Sequence, residues 1–134
     1  MSERWVEFQG SPNGADKDKP RVSLSKESVL RLNQAAYEAL GTPEAVKLRY
    51  EEGRRVIGLV PSEAGEKNAF PLRHHDIKKS RHRTIHIRPL CKHHGIVVPR
   101  TVLFNEIDID EDGMMRLELN HTTKIGKDGQ NRER

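Results

Sequence analysis

Between Arg21 and Pro61 the apolar residues fall into short runs of changing period, and each run predicts an element. Val22 and Leu24, then Val29, Leu30 and Leu32, alternate as half-buried strands do. Polar Lys26–Ser28 interrupts them and predicts a turn. Asn33 suits a helix N-cap, because its side-chain oxygen can accept a free backbone N–H. Gln34 to Leu40 are good helix formers, and Gly41 suits a left-handed stop. Ala36, Tyr37 and Leu40 would share the buried face of that helix. After Thr42-Pro43, Val46, Leu48 and Tyr50 alternate with Lys47 and Arg49, and Val56, Ile57 and Leu59 return. This predicts a hairpin turning near Glu52-Gly53, where glycine tolerates positive φ, with Pro61 ending the second strand.

Residues 62–82 are polar and read as a bridge. A second unit follows over residues 83–120. Thr84, Ile85 and Ile87 read as a strand with His86 outward, and Pro89 to His94 as a short helix stopped by Gly95. Val102 to Ile109 and Met114 to Leu119 predict a hairpin around Asp112-Gly113. Residues 51–59 lie over residues 111–119 without a gap, Glu51 on Glu111 and Leu59 on Leu119, which reads as a decayed internal duplication. Residues 1–20 form a flexible arm on this reading, rich in Gly, Pro, Asp and Lys from Gln9 to Pro20. Trp5 and Phe8 make that arm either a loose tail or an anchor. Residues 121–134 read as a disordered tail.

The stretch from Leu24 to Gly41 resembles the core of AbrB/SpoVT-type swapped-hairpin proteins. Leu24, Lys26, Leu30, Leu32, Ala35, Glu38, Ala39, Leu40 and Gly41 match or nearly match that family's pattern. The resemblance covers residues 21–60 and, in outline, 83–119. It implies a mostly β fold with two short helices (α+β), in which the duplicated strand–helix–hairpin units form a pseudo-dimeric β-barrel. It also implies a transcriptional regulator that binds DNA through basic residues on the loop and strand. Glu27, Val29 and Tyr37 stand where the family carries basic residues, and Asn33 where it carries proline, so the charge expected on this unit is thinned.

Charge gathers elsewhere. From Lys67 to Arg100 there are nine Lys or Arg residues against Asp76 alone, and six of the seven histidines fall there. Clustered cations neutralise phosphates, with affinity growing with the number of contacts. The candidate nucleic-acid-binding residues are Lys26, Arg31, Arg73, Lys78, Lys79, Arg81, Arg83 and Arg88. Few aromatics interleave with them, so base stacking has little support. A solvated basic loop without a partner and contact with an acidic protein are the competing readings.

Composition fits this picture. The chain has 134 residues, 33% charged and 34% hydrophobic, with a formal net charge of +4. Cys91 is the only cysteine, which excludes an intrachain disulfide and suits an intracellular protein. No apolar run reaches the ~18 residues of a membrane helix, so a soluble cytoplasmic protein without a membrane partner is expected. Cys91 with His86, His93 and His94 invites zinc, but structural zinc normally takes four ligands, often with paired cysteines. Asp108 to Gly113 opens like an EF-hand loop, yet Leu119 stands where the closing glutamate belongs. No enzyme motif appears, and no cofactor is called for. The expectation is a DNA-binding regulator-like protein, DNA in preference to RNA, acting as a monomeric pseudo-dimer or a homodimer. A protein–protein interaction module on the same scaffold is the alternative.

Overall fold

The computed structural model describes Trp5 and residues 19–74 and 82–125. The alternating runs become strands: β1 (Val22–Leu24), β2 (Val29–Leu32), β3 (Ala45–Glu51) and β4 (Val56–Ser62), with α1 (Gln34–Ala39) between β2 and β3. The bridge adds β5 (Phe70–Pro71) and β6 (Arg73–His74). Then come β7 (Arg83–His86), α2 (Arg88–His94), β8 (Val102–Phe104), β9 (Ile107–Ile109), β10 (Met115–Glu118) and β11 (Thr122–Lys124). The fold is mostly β with two short helices. No helix among the described residues is long and apolar enough to cross a membrane.

Local chemistry places α1 as expected. The Asn33 side chain accepts the Ala36 N–H at 2.9 Å and the Arg21 N–H at 3.0 Å, and donates to the Lys19 carbonyl at 2.9 Å. One residue therefore caps the helix and ties it to the chain entering β1. Gly41, at φ 97°, ends the helix, with its N–H donated to the Glu38 carbonyl and the Thr42 N–H to that of Tyr37. In the β3–β4 turn the left-handed residue is Arg55 at φ 59°, not Gly53. Pro61 does not end β4. It pairs with Val46 past the end of β10, whose ladder with β4 stops at Leu59.

The strands form a six-stranded sheet A, ordered β11-β8-β1-β2-β7-β6, and a five-stranded sheet B, ordered β5-β3-β4-β10-β9. Both sheets are open, so the pseudo-dimeric β-barrel expected from the AbrB-like resemblance is not formed. Closure would need paired edge strands with consistent tilt and stagger. The edges here are only two or three residues long, and after Pro71 the chain crosses from sheet B to sheet A within Leu72. The run from Val102 to Ile109 is likewise not one strand. It breaks at Asn105-Glu106, giving β8 to sheet A and β9 to sheet B. Thr122–Lys124, read from sequence as tail, pairs with β8 as β11.

The inner faces of the sheets share one core. Leu24, Leu30 and Ile85 from sheet A and Ile57, Leu59, Met115 and Leu117 from sheet B are fully buried within it, and among the described residues no buried one is polar or charged. Sheet B is continuous through the β4–β10 ladder, in which Ile57 faces Leu117. These are equivalent positions when residues 51–59 are laid over 111–119, so a local twofold passes through the pair. The hairpins diverge beyond it: Glu51 and Val56 close one turn, Ile109 and Met115 the other.

Candidate nucleic-acid interface

Residues paired across adjacent strands point to the same face of a sheet. In sheet A, Leu32 pairs with Val22 and Arg83, and Leu30 with Leu24 and Ile85. Those rows turn toward the core. The alternate rows therefore form the outer face. One runs Thr123, Leu103, Ser23, Arg31, Thr84, Arg73 across all six strands. A second holds Val29 opposite His86. Arg31, Arg73 and His86 are exposed there. No strand of sheet A contains an aspartate or glutamate.

The end of this face is also basic. Lys26 is exposed in the β1–β2 turn beside Glu27, and Arg88 is exposed as the first residue of α2. The Ile87 N–H donates to the Ser28 carbonyl at 2.9 Å, which holds the start of α2 against that turn. Neither Lys26, Arg31, Arg73 nor Arg88 forms an ion pair with a described residue.

Arg83 behaves differently. It belongs to an inward row at the edge of the core, and its guanidinium lies over the Tyr37 ring, 4.3 Å from the centroid. Tyr37 occupies the position where the resemblance leads one to expect arginine, and it serves as the platform for an arginine supplied by β7. Lys78, Lys79 and Arg81 lie outside the described residues. The structure thus brings Arg31 and Arg73 onto one face, with Lys26 and Arg88 at its end, and turns Arg83 away. Sequence reasoning missed Ser23 and Thr84, which share a row with the two arginines. Ser23 carried a signal, a polar residue between apolar Val22 and Leu24, whereas Thr84, between Arg83 and Ile85, carried none.

Sheet B carries both signs on its strands: Lys47, Arg49, Glu51, Asp108, Arg116 and Glu118. Its β9–β10 tip is acidic, with Asp110, Glu111 and Asp112, while the β3–β4 tip sets Glu51 and Glu52 against Arg54 and Arg55. Lys47 bonds Glu66 at 2.9 Å. The Glu63 N–H and then the Lys47 ammonium hold the Glu66 carboxyl below its ordinary range.

The metal-like motifs are used otherwise. Cys91 is buried in the core. His94 packs against the Tyr50 ring at 4.5 Å, with Nδ1 3.1 Å from Glu52 Oε2, while His86 lies on the outer face of sheet A. No group of three or more possible ligands occurs among the described residues. In the Asp108–Gly113 segment, Asp110 Oδ1 accepts the N–H groups of Asp112 and Met114, at 2.9 and 3.0 Å. Its backbone carbonyl accepts that of Gly113, which sits at φ 86°. This is hairpin-turn chemistry.

No model of a known protein family matches the chain, and no curated protein or solved structure does so either.

Proposed function

We propose that this protein binds the phosphate backbone of nucleic acid on the outer face of sheet A, as a cytoplasmic, regulator-like DNA-binding protein rather than an enzyme. One observation carries the reading. Arg31 and Arg73 stand on a face whose strands contain no carboxylate, while the strands of sheet B carry both signs and its β9–β10 tip is acidic. The unbalanced positive charge thereby lies on sheet A, and a polyanion would meet that sheet first. Lys26 and Arg88 extend the positive area at one end. The resemblance of residues 21–60 to AbrB/SpoVT-type regulators favours DNA over RNA.

Four phosphate contacts imply a log–log salt slope of about −3.6, or roughly a 100-fold loss of affinity between 50 and 200 mM salt. Fluorescence anisotropy with a labelled duplex measures this directly. No binding at 50 mM salt refutes the reading. A second reading, a protein-interaction module, draws on β9, an edge strand of sheet B on which Ile109 is 38% exposed. Such edges accept an added strand. A pull-down that recovers only nucleic acid counts against it.

A further inference from the structure

The outer face of sheet A holds a line of donors. Ser23 pairs with Arg31, Arg31 with Thr84, and Thr84 with Arg73. These four residues come from β1, β2, β7 and β6 and lie on a line at right angles to the strands. Neighbouring strands are ~4.8 Å apart, so the two guanidinium-bearing positions are separated by roughly 10 Å with a hydroxyl between them.

The flanking rows lack this property. Val29 offers no donor opposite His86. The side chain of Asn33 is engaged with Ala36, Arg21 and Lys19. Among the described residues, Thr84 Oγ1 has only a long 3.5 Å contact with the Arg73 carbonyl, which a charged acceptor would displace. The row also contains no aromatic residue. Phe104 is buried, Tyr50 and Phe70 pack on the core, and Tyr37 lies under Arg83. Bases therefore have nothing to stack on along this line.

Building on the nucleic-acid reading above, we infer that Ser23, Arg31, Thr84 and Arg73 form a track for one phosphate backbone running across the strands. The two hydroxyls serve as neutral donors and the two guanidiniums as charged ones. Ser23 and Thr84 are then positioning contacts that carry no sequence information.

The test measures anisotropy of a labelled duplex of about 20 base pairs over a salt series, with thermal melts to confirm folding. Arg31→Ala and Arg73→Ala should each make the salt slope shallower by about 0.9. Thr84→Val and Ser23→Ala should weaken binding roughly three- to tenfold at unchanged slope, because no charge is removed. Thr84→Ser keeps the hydroxyl and should bind as the unsubstituted protein does. A scrambled duplex should give the same values, and a single strand of equal length should bind more weakly. If the unsubstituted protein binds duplex but these four substitutions leave affinity and slope unchanged, the track is wrong while the broader reading survives. Tighter binding of the single strand also overturns the track. If no duplex binds at 50 mM salt, the reading and the track fall together.

Discussion

Replacing Asn33 with alanine removes three side-chain hydrogen bonds at the point where β2, α1 and the chain entering β1 meet. Loss of the cap to the Ala36 N–H costs about 1 kcal/mol. The bonds from the Arg21 N–H and to the Lys19 carbonyl are exposed, and each contributes about 0.5–1 kcal/mol. The expected total is about 2–3 kcal/mol. A six-residue helix cannot make up that loss by propensity, because so short a segment is unstable alone. Two further variants separate the terms. Asn33→Asp keeps both acceptor roles and adds charge at a helix start, so it should stay within about 1 kcal/mol of the parent. Asn33→Ser keeps the cap but shortens the reach toward Arg21 and Lys19, and should lose about 1 kcal/mol. Urea unfolding followed by circular dichroism gives the ranking, and the alanine variant should melt at least about 8 °C lower. An alanine variant within 0.5 kcal/mol of the parent (roughly the detection limit for such cycles) would refute the assignment. So would an aspartate variant as unstable as the alanine one.

Leu117→Ala should cost about 2–5 kcal/mol, and the double variant with Ile57→Ala should depart from additivity, since the two pair across the ladder that unites sheet B; chemical denaturation of the four-member cycle reads this. Gly58→Ala places a Cβ 2.5 Å from Met114 Sδ, so it should destabilise the native protein and be relieved by Met114→Ala, as thermal melts would show. Glu66 has its carboxyl held low in the folded state, so its contribution is present above the ordinary value of 4.5 and is lost as pH falls through the lowered one. Glu66→Gln should accordingly lower stability slightly near neutrality and leave it unchanged at low pH, flattening the acid side of the stability–pH curve, as urea unfolding over a pH series would show.

Those elements whose cause is local were legible in the sequence. Asn33 as a cap and Gly41 and Gly95 as stops mark both helices, and alternation marks β3 and β4. What escaped has a non-local cause. Phe70–Pro71 and Arg73–His74 are too short to show a period, and they are strands only because β3 and β7 offer edges. The division of 102–109 between two sheets depends on which partner each end meets, β1 or β10. Barrel closure came from resemblance and not from the residues, and the short edges do not support it. For the candidate interface, the exposed arginines were visible as a charge cluster. That Arg83 leaves the cluster could not be seen without Tyr37 brought beneath it by α1.

The ladder pairings carry a kinetic consequence. β1 lies between β2 and β8, and β4 between β3 and β10, so each sheet is completed by strands distant in the chain. Neither half can bury its apolar face before the other arrives, and contacts of high sequence separation slow folding, because loop closure precedes the gain from burial. During synthesis the β1–β2 and β3–β4 hairpins must wait with exposed edges until β8 and β10 have left the ribosome. In that interval the chain depends on the brevity of its strands and the charge of its turns to avoid pairing with another copy.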